Sequence, residues 1–195
     1  MKVVLASGNQ GKLKELAATL AAVDMDLVSQ GDLGIEGAAE DGLTFVENAI
    51  IKARHVCRIA QLPALADDSG LVVPCLEGRP GIRSARYAGE SATDAENNAR
   101  LLADLSGISL PPAHFYCALV YLRHAKDPAP LIATASWHGR VLAEARGSSG
   151  FGYDPHFLVS GLNRTAAELA AEEKNRLSHR GQASALLLEM LRHRP

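Results

Sequence analysis

The spacing of apolar residues changes several times along this chain, and each change marks an element. Residues 3–6, Val-Val-Leu-Ala, are a short apolar run of strand type that stops at a polar stretch, Ser7, Gly8, Asn9, Gln10, Gly11 and Lys12. Leu13, Leu16, Ala17 and Leu20 then recur at helical spacing, so the chain opens as strand, loop and helix. Residues 27–29 predict a second strand, and the Gly-rich, acidic residues 31–42 a connection. Thr44 and Glu47 stand at capping-box spacing before a long helix whose face is Phe45, Ala49, Ala53, Val56 and Ala60. Pro63 ends that helix.

Residues 64–66 and 71–73 read as two strands with an acidic turn, Asp67-Asp68-Ser69-Gly70, between them. Thr93 and Glu96 cap another helix, carrying Ala99, Leu102, Ala103 and Leu105 and closed by Gly107. At 115–122, 131–137, 141–142 and 157–159, β-prone runs alternate with Asp-Pro, His-Gly and Gly-Ser-Ser-Gly turns, which predicts an antiparallel meander. Thr165 and Glu168 predict a further helix start, and Ser178 the cap of a last helix whose buried stripe is Ala183, Leu186, Leu187 and Met190. Strands and helices in this order predict an α/β fold, a mixed sheet with helices packed around it, formed as one domain or two closely joined lobes.

Composition narrows the function. The 195 residues are 47% hydrophobic and 22% charged, enough to bury a core. A net charge of -2 gives no field of the kind that draws nucleic-acid polymers or anionic membranes, so any basic site is local. The 3 cysteines, Cys57, Cys75 and Cys117, form no C-x-x-C pair, which argues against a disulfide framework and a thiolate zinc site and for the cytoplasm. No apolar stretch reaches the roughly 18 residues of a membrane helix, and the polar loop follows Met1 too soon for a signal peptide.

Some residues carry candidate chemistry. Gly8 and Gly11 let backbone N–H groups approach an anion, and Lys12 stands where a helix begins, so the loop resembles a phosphate cradle. It departs from the Walker A pattern, because Leu13 stands where that motif needs Ser or Thr. Asp67 and Asp68 are adjacent at a strand end, where extended backbone alternates faces, so one can serve a metal or water while the other braces the loop; a solvated turn is the plainer account. Glu40 and Asp41, in the Gly-rich connection, offer further oxygen ligands of the type magnesium prefers, and Lys52 stands either on the surface or against a phosphate. Phe151, Gly152, Tyr153 and Asp154 combine flexible backbone, two rings and a carboxylate, which suits a turn stacked on a planar base and suits a packed corner equally. Lys174, His179 and Arg180 bring basic donors to helix ends, and solvated basic residues beside a cap are the plainer account of His179. No histidine pair has zinc-ligand spacing, and Ser69 lacks the elbow of a serine hydrolase.

Taken together, SGNQGK at 7–12, GLTFVENAIIKAR at 42–54, ADDSGL at 66–71, PGIRSARYAGE at 80–90, GFGYDP at 150–155 and SHRG at 178–181 resemble the non-canonical purine NTP pyrophosphatases, the inosine triphosphate pyrophosphatase (Ham1/RdgB-like) family. The resemblance covers nearly the whole chain. It implies an elongated two-lobed α/β fold with the site in a cleft between lobes, and a homodimer. It implies that Ser7 to Lys12 and Lys52 hold a triphosphate, that Glu40 and Asp68 hold Mg2+, and that Asp68 is the catalytic base. Ser69, Phe151 to Asp154, Lys174, His179 and Arg180 then bind the nucleotide. Ser7 stands where many members carry Thr, and Tyr153 where some carry Trp. The implied reaction is hydrolysis of ITP, dITP or XTP to monophosphate and pyrophosphate. A pyrophosphatase for pyrimidine nucleotides and a non-hydrolysing nucleotide sensor are the alternatives.

Overall fold

The computed structural model describes residues 1–7, 16 and 25–193. The expected phosphate loop, Gly8 to Lys12, lies outside the described residues, as does the helix expected after it apart from Leu16, which is fully buried.

Among the described residues the apolar runs form six strands: β1 (Lys2–Ala6), β2 (Asp26–Ser29), β3 (Ala64–Val72), β4 (Pro112–Leu122), β5 (Leu131–Val141) and β6 (Phe157–Val159). They make one sheet in the order β2-β1-β3-β4-β5-β6. β1 is parallel to β2 and β3, whereas β5 and β6 are antiparallel, so the sheet is mixed as expected. The helices with described bounds are α1 (Phe45–Ala60), α2 (Asp94–Asp104), α3 (Ala171–Leu177) and α4 (His179–Arg192). Among the described residues no helix is long and apolar enough to cross a membrane.

The chain divides into two compact units, one of Met1–Asp68, Cys117–Ala135 and Arg180–Pro195, the other of Ser69–Tyr116 and Ser136–His179. The first is built on Val3, Leu5, Leu16, Leu65, Leu119 and Leu187, all fully or almost fully buried. Truncating Leu5 or Leu65 to Ala removes packing worth about 2–5 kcal/mol. The second has its own core, in which Leu71, Leu101, Phe115, Trp137 and Phe157 meet.

Local chemistry accounts for the helix starts. Thr44 Oγ1 accepts the Glu47 N–H at 3.2 Å and opens α1, whose buried residues include Phe45, Ala49, Ala53 and Val56. A full capping box between Thr93 and Glu96 opens α2.

Several expectations are corrected. Asp67 to Gly70 is not a turn between strands but the middle of β3, which runs unbroken from Ala64 to Val72. Cationic partners for both carboxylates, described below, offset the cost of keeping them inside a buried strand. Residues 141–142 are not a separate strand, because Val141 ends β5. The Thr165–Glu168 box starts only the 3-10 turn Ala166–Glu168. Leu169 then turns extended and enters the core, so helix resumes only at Ala171.

On α2 the buried positions are Asn97 and Leu101, and Ala99 and Ala103 are exposed. Asn97 turns inward because its amide bonds Ala85 O and Ala88 N. On α4 Leu186 and Met190 are exposed, whereas Arg180, Ala183, Ser184 and Leu187 form the buried stripe at helical spacing. Two polar members hide that stripe from a count of apolar residues.

Candidate functional site

In the first unit the parallel register pairs Val4 with Ala64, Leu5 with Leu65 and Ala6 with Ala66. Ser7 therefore leaves β1 at the level where Asp67 and Asp68 follow Ala66. With β2 and β3 on opposite sides of β1, this is a switch point of the sheet, and α/β sheets bind ligands outside the carboxyl ends of strands at such points.

Lys52 reaches the same place from α1. Its Nζ lies 2.6 Å from Asp68 Oδ1 and 3.1 Å from Glu40 Oε1, and its side chain is largely buried. Two contacts hold the Glu40 connection against α1: Gly42 N donates to Asn48 Oδ1 at 2.9 Å, and His55 Nε2 lies 3.0 Å from Glu36 O. Burial pulls the Lys52 ammonium down, but the Asp68 and Glu40 carboxylates outweigh it and hold it above its ordinary value. Lys52 is thus an ammonium between two acids and not a surface lysine.

Asp67 points to the other face of β3. Its Oδ2 accepts from Arg180 Nε at 2.8 Å and from Cys117 Sγ at 3.4 Å, with every partner buried. Neighbouring carboxylates in one strand thus have separate partners, as backbone alternation requires. The structure places Arg180 on Asp67. Ser69, the next residue of β3, is half-buried.

In the second unit, Asp154 organises the Gly-rich loop. Its Oδ2 accepts from Phe151 N at 2.9 Å and from Lys174 Nζ at 2.7 Å, and Lys174 Nζ sits 4.8 Å from the centroid of the Phe151 ring. Gly150 has φ +81°, and a Cβ there would run into the Asp154 carboxylate, so glycine is required on both counts. Gly152 is held at both ends, its N–H donating to Asp94 Oδ2 at 2.7 Å and its carbonyl accepting from Asn98 Nδ2 at 2.9 Å.

The two rings of this loop separate. Phe151 is exposed, whereas Tyr153 is buried and donates its hydroxyl to Ser84 O at 2.8 Å. Burial pushes the Tyr153 phenol well above its ordinary value. Of the two rings, only that of Phe151 is exposed.

His179 is buried, contrary to the solvated account of it, and stacks on Phe115 with centroids 4.9 Å apart and planes 11° apart. Trp137 adds a second, looser stack at 6.5 Å. Phe115, Trp137, Asp94 and Asn98 were not among the site residues read from the sequence. Strand aromatics and helix-start polar residues carry no local mark of such partners.

The switch point of this α/β sheet thus holds an acid–lysine–acid cluster. Comparison with known proteins gives the family. The Ham1 family model matches residues 3–190. The dITP/XTP pyrophosphatases of Shigella flexneri and Escherichia coli (strain K12) are each 55% identical to this chain over 194 residues, covering 98% of either partner. The solved structure of a HAM1 protein from Coxiella burnetii superposes with a TM-score of 0.93 at 45% identity, over 100% of both chains. The Staphylococcus aureus Ham1 protein does so with a TM-score of 0.88 at 35% identity, over 98% of both. The chain belongs to the Ham1 family.

Proposed function

We propose that this chain hydrolyses the non-canonical purine nucleoside triphosphates ITP, dITP and XTP to monophosphate and pyrophosphate. The observation that carries the reading is the convergence of Glu40 and Asp68 on Lys52 Nζ, at 3.1 and 2.6 Å, beside the strand end from which Ser7 departs. Relatives named dITP/XTP pyrophosphatase at 55% identity supply the substrate class.

Glu40 and Asp68 suit Mg2+. Both offer hard carboxylate oxygens and already converge on one cation, and Mg2+ uses only one or two carboxylates when water and substrate phosphates complete its shell. Held by Glu40 and Asp68, the ion would supply charge neutralisation for the triphosphate.

The chain's own residues do the rest. Asp68 takes the proton of a water that attacks the α-phosphorus, the bond from that phosphorus to the bridging oxygen breaks, and pyrophosphate leaves. Lys52, with Ser7, Gly8, Asn9, Gln10, Gly11 and Lys12, holds the charge on the triphosphate. Phe151 stacks on the base, held by Gly152, Tyr153, Asp154 and Lys174, and Ser69 contacts substrate. Main-chain N–H donors around His179 and Arg180 meet the C6 oxygen of hypoxanthine or xanthine, where adenine would set donor against donor.

The same reading makes the chain a cytoplasmic homodimer that acts on free nucleotides. The absence of a global charge field and the free thiol of exposed Cys75 agree with a reducing compartment and a small-molecule substrate. The test is a panel of ITP, dITP, XTP, dUTP, TTP, ATP and GTP with products identified. Monophosphate and pyrophosphate from the first three, at rates well above the others, is the expected result. Faster turnover of dUTP or TTP would give the reading to a pyrimidine enzyme, and release of diphosphate would overturn it.

A further inference from the structure

The second unit also holds a cavity of about 360 Å³ whose lining includes His114, His138, Arg140, Ser160, Pro74 and Pro112. β4 and β5 are neighbours in the sheet, and side chains alternate along each. Phe115 and Trp137 turn to one face and stack on His179. His114 and His138, one position away on their strands, turn to the other face, with ring centroids 5.5 Å apart. The cavity therefore lies behind the strands that carry the base-side aromatics.

The polar side chains of this cavity share one character. Two imidazoles, a guanidinium and a hydroxyl all offer donors, and the described lining residues include no carboxylate. Arg140 is anchored, its Nη1 donating to Leu110 O at 3.0 Å, which leaves the guanidinium further N–H groups. Burial and the neighbouring His138 both hold the His114 imidazole below its ordinary value, and the Arg140 guanidinium carries a permanent positive charge. A planar guanidinium among several further donors matches an oxyanion with several terminal oxygens. The volume falls within the roughly 300–1,000 Å³ of small-molecule sites, which leaves room for an organic group beside the anion.

We propose that this cavity binds a small phosphomonoester, with Arg140 gripping the phosphate and His114, His138 and Ser160 completing its donor shell. The face is not the one that carries His179, so occupancy here is separable from nucleotide binding.

Histidine-ring NMR at constant pH tests this, with the His114 and His138 signals assigned from His114→Gln and His138→Gln. Titration of the whole protein with glycerol 3-phosphate is expected to move both signals saturably, with a tighter midpoint than inorganic phosphate and beyond any shift from sodium chloride at equal ionic strength. Arg140→Gln, an exposed change, is expected to leave the melting temperature in place and weaken that midpoint about tenfold. Shifts no larger than those from chloride would overturn the proposal, as would a midpoint unchanged in Arg140→Gln. Binding of inorganic phosphate as tight as that of the ester would overturn the organic part. The His179 signal reports the other face in the same spectra, so phosphate binding at the substrate site is read separately.

Discussion

Arg180 Nε donates to Asp67 Oδ2 at 2.8 Å, with side-chain exposures of 4% and 0%. The pair joins the first turn of α4 to the middle of β3 across 113 positions of sequence. It holds Asp67 on one face of the strand, and Asp68 is thereby presented to Lys52 on the other.

Replacing Arg180 with Met should destabilise the protein by about 3–5 kcal/mol, because it strands the Asp67 carboxylate in a buried site. The double change Asp67→Asn with Arg180→Met should recover part of that loss. Urea unfolding of the three proteins checks this, and a double variant no more stable than Arg180→Met would show that the penalty does not come from the orphaned charge.

Asp68→Asn should retain the fold and lose turnover by at least about a hundredfold, the lower range for a general base. Chelation of divalent ions should stop the unaltered enzyme as completely. Pyrophosphate release, read beside circular dichroism, separates loss of chemistry from loss of structure. Near-normal release by the variant would reject the base assignment.

Gly150→Ala should cost about 1–3 kcal/mol, since it forces a left-handed backbone and drives a methyl group at Asp154. Because Asp154 holds both Phe151 and Lys174, KM for ITP should rise more than kcat falls. Gly152→Ala, also at positive φ but with open space around the new methyl, should cost less. Equal melting points for the two variants would count against the Asp154 contact.

Acid stability should depend on Asp127. Its buried carboxylate is held far below the usual range, first by the Arg123 guanidinium and then by the backbone N–H groups of Arg123 and Ala129. A carboxyl depressed on folding contributes stability that is complete above its unfolded value of about 3.9 and is lost as pH falls toward the folded value. Asp127→Asn should lower stability at pH 7 by about 2 kcal/mol and flatten the decline below about pH 4. Urea midpoints from pH 7 down to pH 2.5 test it, and parallel acid limbs would be the contrary result.

Much of this protein is written in its order of residues, for a local reason. Strand against helix is a matter of spacing, and caps such as Thr44 and Thr93 act within three positions, so the alternating α/β order was legible residue by residue. The likeness of six short motifs to one family was legible as well, since motif order needs no coordinates. What pairs with what was not. Asp67 and Asp68 read as a turn because two adjacent acids next to a glycine usually sit in solvent, and only the arrival of Lys52 on one face and Arg180 on the other makes a buried strand tolerable. Leu186 and Met190 look like the core side of α4, yet the face turned inward is the one carrying Arg180 and Ser184, because Asp67 waits there. Phe115 and Trp137 announce nothing beyond a strand until folding sets His179 against them. Short-range forces follow chain position, whereas ion pairs and ring stacks are decided by which distant segments the packed core brings within a few ångströms.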